Sequence, residues 1–127
     1  MSGERFLLDS HVLIWLDTGD TRLSPVVLER LRRGDQRFLS AASAWELGLK
    51  RAAGKIRLRV PVSSMLGDFG LTELPVAMRH GERAALLPLD HRDPFDRLLL
   101  AQAELEGLIL VTGDRQLSQF GVPVLLV

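Results

Sequence analysis

The chain contains no cysteine. That excludes a disulfide framework and any thiolate zinc site, and it is compatible with the reducing cytoplasm where we place the protein. No apolar segment approaches the ~18 residues a membrane helix needs, so no membrane partner is expected. The first residues, Met1 to Arg5, lead into only three apolar positions, Phe6 to Leu8, before Asp9, which does not resemble a secretory leader. Net charge is zero, with 16 basic and 16 acidic residues. A binder that holds nucleic acid by bulk charge alone is therefore not indicated. There is no repeat, linker or low-complexity stretch. The three histidines, His11, His80 and His91, lack the helical spacing of a metal-ligand pair. His80 is expected on an exposed helix face and His91 in a polar loop.

What is present is a chain of 127 residues, 46% apolar, long enough to bury a core and expected to form one domain over residues 1–127. Charge is unevenly distributed. Residues 1–63 carry 11 Lys/Arg against 7 Asp/Glu, and residues 64–127 carry 5 against 9. Fourteen of the basic residues are arginine, which suits bidentate phosphate or carboxylate pairing. A basic half facing an acidic centre could hold RNA. An ordinary mixed surface accounts for the same composition.

Strand-like and helix-like segments alternate. Phe6-Leu7-Leu8 reads as a short buried strand ending in Asp9. A helix follows from His11 to Leu16, then another begins at Ser24-Pro25, with serine as N-cap and proline in the first turn. Arg37-Phe38-Leu39 is a second strand, and a helix runs from Ser40 to Ala53 with Gly54 as its stop. Ile56 to Val60 alternates like a strand but lies between helices, so it is read as an extended connection. Pro61 to Phe69 is a short helix, Leu71 to Leu74 a weak strand, and Pro75 to Leu87 a helix. Asp93-Pro94 opens a helix to about Glu106, punctuated by Gly107. Leu108 to Thr112 is the clearest strand, apolar on both faces. A short helix to Gln119 and a closing strand, Val122 to Val127, complete the chain. Continuously apolar strands alternating with helices predict an α/β fold: a parallel sheet with helices on both faces. Such folds gather functional groups at the carboxyl ends of the strands, beside a topological switch point.

Acids punctuate that pattern. Asp9 and Asp114 follow two strands directly, while Glu46 and Asp96 fall early in helices. Each has a structural explanation alone. Asp9, Asp93 and Asp114 could cap helices, and Ser43-x-x-Glu46 matches a capping box. Together, they would bring carboxylates from four segments to one sheet edge. Like charges clustered at low dielectric cannot all stay ionised without a counter-charge. Lys50 is the one lysine nearby, one turn past Glu46, and Arg97 and Arg115 could add balance. A bound cation does so more naturally, and all-oxygen ligands favour Mg²⁺ or Mn²⁺. Such ions support phosphoryl transfer to water. Lys50, Arg51, Lys55 and Arg57 begin the densest basic run, either a solvated face or an RNA-backbone contact. Trp15, Trp45, Phe95 and Phe120 are read as core.

The segments Leu8-Asp9-Ser10, Ser43-Ala44-Trp45-Glu46-Leu47, His91-Arg92-Asp93-Pro94-Phe95-Asp96-Arg97 and Thr112-Gly113-Asp114, in that order, resemble the PIN-domain ribonucleases. The likeness is to VapC-like toxins of prokaryotic toxin–antitoxin pairs, and it spans nearly the whole chain. It implies a three-layer α/β/α sandwich with a Rossmann-like strand order. It also implies Mg²⁺- or Mn²⁺-dependent endoribonuclease activity, a homodimer, and neutralisation by a cognate antitoxin. By position, Asp9, Glu46, Asp96 and Asp114 correspond to the catalytic, metal-binding quartet, with Thr112 and Ser10 as supporting hydroxyls. Asp93 is read as a helix cap. In the expected reaction water attacks the RNA phosphorus in line and the 3′ oxygen leaves, so products carry 5′-phosphate and 3′-hydroxyl ends. An inert binding module on the same fold is the alternative. A phospho-acceptor module is disfavoured, because no Asp follows Phe38-Leu39 and no lysine lies near Thr112-Gly113-Asp114.

Overall fold

A computed structural model describes residues 2–127. Five strands form one sheet in the order β3-β2-β1-β4-β5. They are β1 (Arg5–Leu8), β2 (Gln36–Ser40), β3 (Thr72–Leu74), β4 (Ile109–Thr112) and β5 (Val124–Leu126). All four pairings are parallel, with Leu8 opposite Leu39 on one side and Val111 on the other. Among the described residues six α-helices connect them: α1 (Ser10–Thr18), α2 (Pro25–Arg33), α3 (Ala41–Ala52), α4 (Val62–Phe69), α5 (Met78–Leu86) and α6 (Pro94–Glu106). A 3₁₀ turn, Arg115–Gln119, follows β4. The expected three-layer α/β/α sandwich with a parallel sheet is what the chain forms. Among the described residues Ile56 to Val60 pairs with no strand, as expected of a connection.

Alternation along the strands divides the core in two. Phe6, Leu8, Leu39 and Val111 face one side, packing on Leu13 of α1, Leu47 of α3 and Met65 of α4. Leu7, Phe38, Leu74 and Leu110 face the other, against Leu99, Leu100 and Ala103 of α6 and Ala84 of α5. Strands buried on both faces must be apolar at every position, which is why β1 and β4 read as unbroken runs. Helix α6 starts where Asp93 accepts hydrogen bonds from the N–H groups of Phe95 and Asp96, at 2.9 and 3.2 Å, with Pro94 at the first position. It stops at Gly107, whose φ of 66° is the left-handed conformation that favours glycine.

Five side chains depart from expectation. His80 is buried, not on an exposed face. Its Nδ1 accepts from the N–H of Ala77 at 2.8 Å, and Nε2 lies 2.9 Å from Glu106 Oε1, so it ties α5 to α6. Trp45 is 66% exposed, not core. Helix α3 instead buries the face carrying Ala42, Ser43, Glu46 and Leu47. Trp15, Phe95 and Phe120 are half-buried rather than enclosed. No helix among the described residues is long and apolar enough to cross a membrane.

Candidate metal centre

The sheet reverses direction of winding between β1 and β4. The chain builds outward from β1 through β2 to β3, then returns to add β4 and β5 on the other flank. The carboxyl ends of β1 and β4 therefore form the switch point, where connecting loops diverge and leave a crevice. Asp9 follows β1 and Asp114 lies two residues past the end of β4. A cleft of about 420 Å³ opens there, lined by Asp9, His11, Trp15, Glu46, Lys50, Asp93, Asp96, Gly113 and Asp114. All four acids of the expected quartet line it. A larger cavity of about 600 Å³ sits beside the start of β1, against α2. Its acids, Glu4 and Glu29, are already paired with arginines, so the chemistry belongs to the smaller cleft.

Hydrogen bonds orient each carboxylate. Asp9 caps α1: its Oδ1 accepts from the N–H of His11 at 2.9 Å, and its Oδ2 accepts from Thr112 Oγ1 at 2.7 Å. Thr112 Oγ1 in turn accepts from the N–H of Asp114 at 3.1 Å, so one buried hydroxyl couples the acids of both strands. Asp114 Oδ1 caps the 3₁₀ turn through Gln116 N–H, at 2.9 Å. Glu46 is buried, and one oxygen accepts from Ser10 Oγ at 2.6 Å while the other meets Lys50 Nζ at 3.0 Å. The capping box suggested by Ser43 and Glu46 does not form, because Ser40 is the N-cap of α3. Capping and convergence thus coexist at Asp9 and Asp114, since short Asp side chains at N-termini project toward the same crevice.

Asp96 has the least compensation. Burial pushes its carboxyl up to about 6, reinforced by the charges of Asp93 and Asp9 and opposed by a hydrogen bond from His91. Burial also pushes Asp9 upward, but the His11 and Thr112 hydrogen bonds outweigh it and hold that carboxyl below its ordinary value. His91 Nε2 lies 2.7 Å from Asp96 Oδ2, and this contact raises the imidazole above its ordinary value. His11 is raised likewise by Asp9.

Among the described residues Lys50 is the one lysine or arginine that pairs with an acid of the cleft, Glu46, beside the imidazoles of His11 and His91. Arg97, expected to balance the acids, does not. Its guanidinium donates to five main-chain carbonyls, those of Ala84, Ala85, Leu87, Leu89 and His91. Arg51 in the last turn of α3, and Lys55 and Arg57 beyond it, are exposed and form no ion pair among the described residues. Gly113 has a steric reason to be glycine: a Cβ there would lie 2.7 Å from the Trp15 ring, which walls the cleft.

The donor set fits a divalent cation. Carboxylates from four segments line one cleft, one is pushed toward neutrality, and the neighbouring cationic groups are Lys50 and the imidazoles of His11 and His91. His91, Asp96 and Asp114 each offer a ligand atom within 4.8 Å of the others. Oxygen donors with one imidazole suit Mg²⁺, Mn²⁺ or a neighbouring divalent ion. The part of this site missed in the sequence is His91, whose position five residues ahead of Asp96 was the available signal.

Comparison with known proteins agrees with this fold. The pattern of the family described as PIN domain matches residues 6–123. The chain belongs to the PIN-domain family. Its curated relative Ribonuclease VapC22 of Mycobacterium tuberculosis (strain ATCC 25618 / H37Rv) is 33% identical over 120 residues, 92% of each chain. A chain of a toxin–antitoxin complex from Klebsiella pneumoniae superposes with a TM-score of 0.66 at 20% identity, covering 94% of both. A chain of DNA-bound VapBC from Salmonella typhimurium gives 0.66 at 15% identity, covering 96% of this PIN-domain chain and 97% of that one. At such identities these structures establish the fold.

Proposed function

We propose that this PIN-domain chain is a divalent-metal-dependent endoribonuclease, one domain over residues 1–127, and the toxin of a toxin–antitoxin pair. The observation that carries the reading is the convergence of Asp9, Glu46, Asp96 and Asp114 at the β1/β4 switch point. The 33% identity to a ribonuclease supports the activity, and likeness to chains from toxin–antitoxin complexes supports a cognate antitoxin partner. Exposed apolar side chains, including Trp45, Met78 and Leu86, leave surface for that partner and for a homodimer.

Asp9, Asp96 and Asp114 would hold the principal ion, Mg²⁺ or Mn²⁺. When bound, it supplies Lewis acidity toward a phosphoryl oxygen and toward water. Thr112 and Ser10 act by positioning: Thr112 fixes Asp9 relative to Asp114, and Ser10 fixes Glu46. Glu46, held between Ser10 and Lys50, orients the attacking water. Lys50 faces the cleft, and Arg51, Lys55 and Arg57 extend positive charge away from it along a path for the RNA backbone. Water oxygen bonds to phosphorus in line, the bond to the 3′ oxygen breaks, and that oxygen receives the proton. Products carry 5′-phosphate and 3′-hydroxyl ends.

The test is incubation of purified protein with total cellular RNA and Mg²⁺, followed by mapping of new ends. Wild type should generate 5′-phosphate ends at defined sites, and Asp96→Asn should not. Cleavage by Asp96→Asn at the wild-type rate would overturn the assignment.

A further inference from the structure

We propose that His91 supplies a nitrogen ligand to the metal centre, making it a mixed imidazole–carboxylate site that prefers Mn²⁺ and later divalent ions to Mg²⁺. The inference rests on the reading of the cleft as a metal centre and adds a residue outside the acidic quartet. His91 Nε2 is 2.7 Å from Asp96 Oδ2, and one atom from each of His91, Asp96 and Asp114 falls within 4.8 Å of the other two. Two carboxylates and one imidazole from two segments, the 91–96 stretch and the turn after β4, make a ready-made donor triangle. The imidazole is also held in place. Arg97 donates to the carbonyl of His91 at 3.0 Å, of Leu89 at 3.1 Å and of Leu87 at 3.0 Å, clamping the loop between α5 and α6. A guanidinium spent on backbone carbonyls leaves the carboxylates free and presents the ring to them. The His91 side chain is 15% exposed, so the donor is largely shielded from bulk solvent beside Asp96, which lines the cleft. Mg²⁺ gains little from an imidazole, whereas first-row transition ions gain more.

A hydrogen bond to Asp96 alone would give the same metal-free geometry, so the test reads the metal–nitrogen bond directly. Wild-type protein loaded with Mn²⁺ is examined by pulsed electron paramagnetic resonance for ¹⁴N coupling. Mn²⁺ and Mg²⁺ affinities are measured by calorimetry for wild type, His91→Ala and His91→Asn. The expected result is ¹⁴N coupling in wild type that both variants lose. Mn²⁺ affinity should fall about tenfold or more, as for residues built around metal sites, with a much smaller change for Mg²⁺. Wild type that binds Mn²⁺ without ¹⁴N coupling, or coupling that persists in both variants, overturns the role of His91 and leaves the carboxylate centre standing. Wild type that binds no Mn²⁺ overturns both readings. Two variants guard against the failure of one to fold.

Discussion

Replacing Asp96 by asparagine should make the metal-free protein more stable at pH 8 and no more stable at pH 4. The Asp96 carboxyl is pushed from 3.8 to about 6 by burial and by the charges of Asp93 and Asp9. Its folded-state value exceeds its unfolded one, so folding favours the protonated form. The resulting penalty is absent below pH 3.8, grows as pH rises, and is complete above about 6. At ~1.36 kcal/mol per unit, the two-unit rise corresponds to roughly 3 kcal/mol. The side chain is only 19% exposed, so solvent screening removes little of it. His91 works in the other direction. Its raised value means its pairing with Asp96 stabilises the fold below its ordinary 6.5 and fades as pH rises past its folded value. Asparagine forfeits that pairing, so the variant's advantage disappears in acid and is largest at pH 8. The assay is urea unfolding of both proteins in chelator at pH 4, 6 and 8. Mn²⁺ added at about a thousand times its dissociation constant should then reverse the order at pH 8, since it stabilises wild type by ~4.1 kcal/mol. A variant that is less stable than wild type at pH 8 in chelator, or a difference that does not vary with pH, would refute the reasoning.

Other perturbations test the supporting structure. Thr112→Val removes a hydroxyl that donates to Asp9 and accepts from Asp114; urea unfolding should show a loss of about 1–3 kcal/mol, and calorimetry weaker Mn²⁺ binding. Gly113→Ala sets a methyl against Trp15 and should cost about 1–3 kcal/mol, with thermal melting showing partial relief when Trp15 is also reduced to alanine. Arg97→Ala frees five carbonyls and should cost about 2 kcal/mol or more, with amide exchange accelerating first in the loop that carries His91.

Much of the fold was legible because two inner strands, β1 and β4, are buried along most of their length and acids follow them. Phe6 to Leu8 and Leu108 to Thr112 have no polar alternation to confuse them, and Asp93-Pro94 and Gly107 bracket α6 by backbone chemistry alone. Asp9 and Asp114 stood out because residues just past strand ends in a parallel sheet share one edge, whereas Glu46 and Asp96 lie inside α3 and α6 and were pointed to by the family resemblance. What local pattern could not reveal depends on distant partners. Helix α3 carries apolar residues on both sides, so burial of Glu46 and exposure of Trp45 follow from Ser10 and Lys50 holding the glutamate inward. His80 is buried because Glu106, 26 residues later, receives its Nε2. Arg97 lies one residue from Asp96 in sequence, yet its guanidinium reaches back to the end of α5.

The central claim is that carboxylates from four segments form one divalent-metal centre, and a crystal soaked in Mn²⁺ tests it most directly. Anomalous scattering should place an ion between Asp96, Asp114 and Asp9 at the carboxyl ends of β1 and β4. Crystals of Asp96→Asn treated identically should lack that peak. Equal peaks in both crystals, or manganese bound elsewhere while the wild-type cleft holds only water, would contradict the account.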